Sequence, residues 1–455
     1  MKIQILFTIF VVNVFLAIGQ KNYSLEQCIQ QALENNLQVK QSKNAERLQE
    51  NTFFQSKANF TPNLNANTSV ARSWGRNQDP STFQLIETQS DFIQSGINSN
   101  VTLFNGLANQ YTLERNKVNL TTSRITTEKI KNNISLNIAL LFIQVVLDKE
   151  QIKMAEENVK LDEARITRIQ KLYEKGVIVE GELLNLQSQL ATNKLTLQTL
   201  QNQLKKDKLS LLQAMDAPVN EDFDITVPDI NAVAVVLPDV QAIYDYALQN
   251  MPEVKEQQNR IKSSQLNVKI TRANYYPILT LSGNINARAT FFKPYNTTAF
   301  DFSTGQFVNK RVAPDDFFTQ YNRNLGKSIG ITLQMPIFNR FSVRTNVANA
   351  NLEVMNQELQ LKSVQNQLIK DIQQAYIDVQ NAQERYENLQ NQFKSLEKAY
   401  QYAQKRFEAG ALNSVDLLTT QNNLQRTQSE ILQAKYNLVF RSKVLDFYQG
   451  KPLKF

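Results

Sequence analysis

The sequence predicts a mainly α protein with a smaller membrane β-barrel portion, built as a two-fold internal repeat of long antiparallel coiled-coil helices with two strands each. Three observations predict it. Gly and Pro number only 12 and 11 in 455 residues, roughly 5% against about 12% in ordinary chains, so long uninterrupted elements outweigh turns. Apolar residues recur every 3 or 4 positions over several heptads in two separate stretches. Between those stretches the period switches to 2, as in strands with one apolar face.

The composition also excludes chemistry. With no His and one Cys, Cys28, the chain has no Ser-His or Cys-His pair, no His-ligated zinc and no intrachain disulfide. The charge balance, 50 Lys+Arg against 42 Asp+Glu, shows almost no clustering, so nucleic acid is not an expected partner. No Gly-rich phosphate loop or metal cluster is present. No enzyme and no cofactor are expected, and Cys28 reads as a small buried residue.

The chain opens with Met1-Lys2, an apolar stretch from Ile3 to Ile18, and the small-x-small triplet Ala17-Ile18-Gly19. Residues 1–19 therefore read as an export signal peptide, with an uncleaved anchor as the alternative. No later run of ~18 consecutive apolar residues is present, so no transmembrane helix is expected.

The repeat is visible by self-comparison. At an offset of 215, Ala32, Leu33, Asn35, Val39, Lys40 and Asn44 meet Ala247, Leu248, Asn250, Val254, Lys255 and Asn259. Ala58, Asn59, Pro62 and Leu64 likewise meet Ala273, Asn274, Pro277 and Leu279. Further on the offset is 234: Phe104-Asn105 meets Phe338-Asn339, and Leu183-Leu184-x-x-Gln187 meets Leu417-Leu418-x-x-Gln421. One insertion between Leu279 and Phe338 accounts for the change. The expected division is a first repeat at 20–216, an equatorial linker at 217–238, a second repeat at 239–449 and a tail at 450–455.

Within each repeat a long helix is expected where Gly and Pro are absent, over 107–174 and 341–407, with a rise of ~100 Å each. In the second copy Val379, Ala382, Tyr386, Leu389, Phe393, Leu396, Tyr400, Ala403 and Phe407 step by 3 and 4. The matching positions in the first copy are apolar except Asp148 and Asp162. A second heptad run follows each tip Gly, so each pair forms an antiparallel coiled-coil hairpin turning near Gly176 or Gly410. Shorter helices at about Ser24–Ala58 and Glu182–Asp216 would complete a two-layer column.

Strands are expected at about 64–74, 92–104, 278–291 and 328–338. Leu279, Leu281, Ile285, Ala287 and Ala289 alternate with Thr280, Ser282, Asn284, Asn286 and Arg288. Such strands suit a transmembrane barrel, or a soluble antiparallel sheet with one face on a core. Four strands cannot close a barrel and an open edge cannot stand in lipid, so the membrane reading requires oligomerisation. Two chains would give a filled eight-stranded barrel, whereas three give twelve strands with room for a lumen. The loop from Arg288 to Lys327 reads as exterior, with Phe291, Phe292, Tyr295, Phe317, Phe318 and Tyr321 at the membrane interface.

With a signal peptide, two like halves and the G-x-x-x-x-x-[DE]-L-L tip in both, the chain resembles the TolC-type outer-membrane efflux channels. The resemblance implies a homotrimer in outer-membrane lipid, with a twelve-stranded barrel and a periplasmic α-helical tunnel. It also implies a periplasmic adaptor (membrane fusion) protein and an inner-membrane pump of RND or ABC type as partners. The family tip reads Y-x-x-G-x-R-x-x-x-D-x-x-D. Here Gly410 and Asp416 match, while Phe407 lacks the hydroxyl, Leu412 the Arg charge and Thr419 the second carboxylate. These departures count against a closed state held by Arg–carboxylate bridges. Asp416, Thr419, Leu412, Phe407 and, in the first copy, Glu182 are the candidate periplasmic constriction. Asp416 alternatively sits on a solvated helix start, where the helix dipole favours a carboxylate. Lys175, Gly176, Val177, Ala409, Gly410 and Ala411 are the candidate adaptor-docking tips. The rival readings are a secreted structural coiled-coil protein and a stand-alone diffusion porin.

Overall fold

The computed structural model describes residues 22–78, 85–219, 222–228 and 237–454. The expected signal peptide and residues 229–236 of the expected linker lie outside the described residues. The elements run β1 (Asn22–Tyr23), α1 (Leu25–Asn35), α2 (Leu37–Ala58), β2 (Asn65–Gln78), β3 (Leu85–Phe104), α3 (Ala108–Glu174), α4 (Glu180–Ala214) and β4 (Asp224–Ile225). They continue with α5 (Val240–Asn250), α6 (Pro252–Ala273), β5 (Ile278–Phe292), β6 (Tyr295–Asp301), β7 (Gln306–Val312), α7 (Phe317–Arg323), β8 (Gly326–Gln334), α8 (Ser342–Glu408) and α9 (Ser414–Tyr448).

The repeat holds residue by residue. Shifting α1 and α2 by 215 gives the limits of α5 and α6, and shifting α3 and α4 by 234 gives those of α8 and α9. The first short helix of each repeat is broken once, which a continuous helix at about 24–58 does not anticipate, whereas α4 and α9 run unbroken. Asn36 leaves the helical conformation and its side chain accepts the Gln38 N–H at 2.9 Å. The Asp216 carboxylate takes the Leu37 N–H at 3.0 Å. These bonds satisfy N–H groups that a new helix start would leave bare. In the second repeat Pro252 opens α6, a first-turn position where its missing N–H costs nothing.

Two compact units result, and each draws on both repeats. One takes the described residues up to Glu46, Ser123–Gln257 and the chain from Leu361 on; the other takes Arg47–Thr122 and Gln258–Gln360. The first unit is helical. Its main core joins Cys28 and Ala32 of α1 to Ile138, Phe142, Val145 and Val146 of α3 and Leu211 and Met215 at the end of α4. A second core joins Ile243 and Ala247 of α5 to Ile372 and Val379 of α8 and Leu438 and Leu445 of α9. Cys28 is fully buried, and burial pushes its thiol up to about 12, which leaves it unreactive. One stretch of α3 is long and apolar enough to cross a membrane by length and composition. In the same helix Ile138, Ala139, Phe142 and Val146 pack in the core, while Leu140 is 46% exposed.

The second unit holds the sheet, of order β2-β3-β5-β8 and antiparallel throughout. The fourth strand ends at Gln334 rather than 338, because Pro336 cannot donate to a ladder. The second strand begins at Leu85, earlier than its periodicity suggests. The expected exterior loop is itself structured: β6 pairs with β7, and α7 follows. The Gln320 amide fixes α7 to β5, accepting the Thr290 N–H at 2.7 Å and donating to the Thr290 carbonyl at 3.0 Å.

Candidate functional site

The register of the sheet sorts its side chains into two faces. Val70, Ile93 and Ala289 lie abreast, as do Ala66, Ile97 and Ile285, and Leu281 beside Ile331. The opposite face carries Asn65, Asn98, Asn284 and Ser328 in one cross-strand row. In a water-soluble sheet the apolar face would be covered. Here Val70 is 72% exposed, Ile329 81% and Ile331 66%, with no layer over them. Exposed apolar residues on this face suit lipid and the Asn-rich face suits water, although Thr68–Ser95 and the Arg72–Asp91 ion pair interrupt the apolar face.

Strand-to-helix turns end the sheet at Phe104–Leu107 and Phe338–Phe341. Both turns use two successive left-handed residues: Gly106 and Leu107 in one, Arg340 and Phe341 in the other. Glycine is required at 106, since a Cβ there would lie 2.7 Å from the Ala273 carbonyl oxygen and 2.8 Å from Tyr276 Cβ. In the second-copy turn Ile337, Phe338 and Phe341 stay exposed.

The two helical tips are built alike. Gly176 and Gly410 both have φ of 70°, and the next N–H closes each helix, Val177 to the Leu172 carbonyl at 3.0 Å and Ala411 to the Arg406 carbonyl at 2.8 Å. Lys175, Gly176, Val177, Ala409, Gly410 and Ala411 are all exposed. Asn413 caps α9 by accepting the Asp416 N–H at 2.8 Å. The Asp416 side chain is thus left exposed in the first turn, where the helix dipole favours it. Thr419 is exposed as well and donates to its own helix, to the Val415 carbonyl at 2.8 Å. Leu412 is half-buried, while Phe407 packs with Leu418 against Ile169, Leu183 and Leu186. Glu182 is half-buried at the matching place in α4, and its Oε2 is shut from solvent with no hydrogen-bond partner.

A polar cluster that the candidate residues do not include lies further up the hairpins. Arg165 of α3 donates one Nη to Gln421 Oε1 and the other to the Tyr400 hydroxyl. The Gln421 amide also donates to Asp162 Oδ1 at 3.1 Å, and Asn193 donates to Asp162 Oδ2 at 2.5 Å. Four helices, α3, α4, α8 and α9, contribute to this cluster. Its sequence signal is Asp162, one of two polar residues in an otherwise apolar seam.

The other is Asp148, which is 2% exposed. Burial, then the facing Asp207 carboxyl, pushes its acid group up to about 7, against a smaller opposite pull from Gln144. Beside it Lys149 and Lys208 hold Asp224 at 2.8 and 3.0 Å. Burial works against ionisation of Asp224, but these bonds together hold it below the usual carboxylate range. Among the described residues no three His, Cys, Asp or Glu side chains gather to hold a metal.

Exposed apolar residues on a sheet, carried on a repeated framework of 67-residue helices, fit the class of outer-membrane channel, and comparison with known proteins agrees. The family model described as "Outer membrane efflux protein" matches residues 28–217 and 243–450. The chain belongs to the outer membrane efflux protein family, the outer-membrane channels of efflux systems. Its fold matches CusC, whose structures concern folding and transmembrane channel formation, at TM-score 0.76 and 16% identity over 94% of this chain and 92% of that one. VceC of Vibrio cholerae gives TM-score 0.73 and 16% identity over 94% and 97%. The pyoverdine export outer membrane protein OpmQ of Pseudomonas putida is 22% identical over 41% of this chain and 39% of its own length.

Proposed function

We propose that three copies of this chain form a passive duct from the periplasm to the exterior. The observation that carries this reading is a four-stranded sheet with one apolar face exposed and both outer strands, β2 and β8, unpaired on one side. In the strand order of the sheet β3 and β8 run the same way, opposite to β2. The β8 edge of one protomer can therefore pair antiparallel with the β2 edge of the next and close twelve strands. The exposed turn at Phe338–Phe341 supports the same closure. Its first-repeat counterpart packs on Ala273 and Tyr276, so the equivalent neighbour would be residues 58–61 of the next protomer.

In this reading the helices are the periplasmic tunnel. Two 67-residue helices with a rise of about 100 Å each exceed anything a diffusion porin requires. Lys175, Gly176, Val177, Ala409, Gly410 and Ala411 meet a periplasmic adaptor, and an inner-membrane pump of RND or ABC type supplies energy and selects cargo. Asp416 residues of three protomers form a ring that attracts cations at the entrance. Detergent extraction should release a trimer from outer membranes; a water-soluble monomer would refute the duct. The ring is tested by single-channel recording of Asp416→Asn, for which unchanged conductance and cation block would remove Asp416 from the entrance.

A further inference from the structure

We propose that Arg288 is an anion-selecting residue of the barrel lumen, where three copies of its guanidinium receive solutes bearing carboxylate, sulfate or phosphate groups. The inference rests on the duct reading above and adds a substrate class to its barrel. The register gives the water-facing side of the sheet row by row. From the row of Ser73, Ser90 and Phe292 to the row of Thr102, Thr280 and Thr332, it carries Asn, Gln, Ser, Thr, Gly, Ala and Phe but no Asp or Glu. Arg288, abreast of Ser69 and Gln94, is the one charged residue among those described positions. A lining without carboxylates leaves that charge unopposed.

The side chain is held in place yet left available. Its guanidinium lies over the Phe92 ring, with Cζ 4.7 Å from the centroid, and Arg288 is exposed. A stacked guanidinium keeps its N–H groups in its own plane, where two of them can grip two oxygens of one anion. Among the described residues it has no hydrogen-bond or ion-pair partner. Carboxylates of the same region are engaged elsewhere. Asp91 receives two bonds from Arg72 on the lipid side, at 2.6 and 2.8 Å, and Asp315 pairs with Arg323 at 2.6 Å. Nor does the fold use the charge. The end of α7 is tied to this strand through the Arg288 carbonyl, which accepts from the Asn324 amide at 2.8 Å, and any residue type could supply that carbonyl. At the offset of 215 the first repeat carries Ser73 instead. A closed barrel therefore holds one such cation per protomer, all in one ring.

The test is ion selectivity in planar lipid bilayers, read as the reversal potential across a KCl gradient. Each variant is compared with wild type, so that charges elsewhere in the duct cancel. With three charges about 8 Å from a permeating ion in about 0.1 M salt, Arg288→Gln should lower the chloride-to-potassium permeability ratio roughly threefold. Arg288→Glu should lower it further, and Arg288→Lys, which keeps the charge, should keep most of it. Above about 1 M salt the difference between wild type and Arg288→Gln should vanish, because screening is then complete within about 3 Å. Inorganic tripolyphosphate probes the site itself: it should block the wild-type current and block Arg288→Gln more weakly. An unchanged ratio and unchanged block in both Arg288→Gln and Arg288→Glu would overturn the proposal. So would a difference that persists at high salt, which would trace the effect to pore shape rather than charge. A wild-type protein that forms no channel in the bilayer would instead overturn the duct reading.

Discussion

In the first repeat α3 buries Asp148 and Asp162 at seam positions where α8 of the second repeat carries Ala382 and Leu396. The helices themselves do not differ, for α3 and α8 both run 67 residues and α4 and α9 both run 35. Length, tip and turn are thus set by a framework both copies keep, while the seam is free to diverge. Each acidic residue is buried beside partners that belong to its own surroundings. Asp162 meets Asn193 and Gln421, and Asp148 meets Gln144 and Asp207. The difference teaches that burial does not choose between apolar and polar at these positions. The available partners do.

The comparison breaks most severely if polarity is transferred without partners. Ala382 packs with Ile372, Val379 and Leu438 in an apolar core. Ala382→Asp should cost about 3 kcal/mol or more, since the carboxyl finds no donor there and must stay protonated or open the core. Denaturant unfolding of the detergent-solubilised protein measures this. A loss below about 1 kcal/mol would mean that the two seams are interchangeable.

The reverse transfer is milder. Asp162→Leu copies Leu396 but strips the acceptor from Asn193 and Gln421, for an expected loss of about 2 kcal/mol. Adding Asn193→Leu should recover part of it, because removing both partners costs less than removing one. A double variant that loses as much as the two single losses together would show that Asn193 is held by something other than Asp162.

Most of the framework was legible from the chain because periodicity and Gly or Pro punctuation are local. The long helices, the tips at Gly176 and Gly410 and the alternation in Leu279–Phe291 needed no tertiary knowledge. The break at Asn36 was not legible, since it depends on a carboxylate from Asp216, far along the chain, whereas Pro252 marks its counterpart at Met251. The hairpin of β6 and β7 was missed because Asn, Thr and Lys hide its alternation. The candidate gate was read from motif positions at the tip, whereas the strongest polar contacts between the hairpins sit a heptad away. Asp162 marked the place, but Arg165, Tyr400 and Gln421 lie on three different helices, and no spacing rule joins them.

The Asp148 site sharpens the comparison through pH. An acid held at about 7 when folded, against about 4 when unfolded, favours the folded state while it keeps its proton. Its contribution is complete below about pH 4, falls as pH rises through 7, and is gone above. The melting temperature of the wild-type protein should therefore drop between about pH 5 and about pH 8. Asp148→Asn should flatten that slope and leave the protein more stable at the alkaline end, as an amide can donate to Asp207 at any pH. An unchanged slope would place the titration on other groups.

The smallest effect tests what the repeats share. Gly176 and Gly410 have the same left-handed φ, and a Cβ at either would meet no atom within 4 Å. Ala at each should cost only the backbone penalty of that conformation, about 1 kcal/mol, and the two losses should be equal and additive. Gly106→Ala should cost more, because there the added carbon also strikes the Ala273 carbonyl. Equal losses at the two tips, measured by denaturant unfolding, would confirm that the repeats diverge in their seams while the framework stays common. A tip glycine that costs clearly more than its counterpart would instead reveal a contact that the other tip lacks, and would place the divergence at the tips as well.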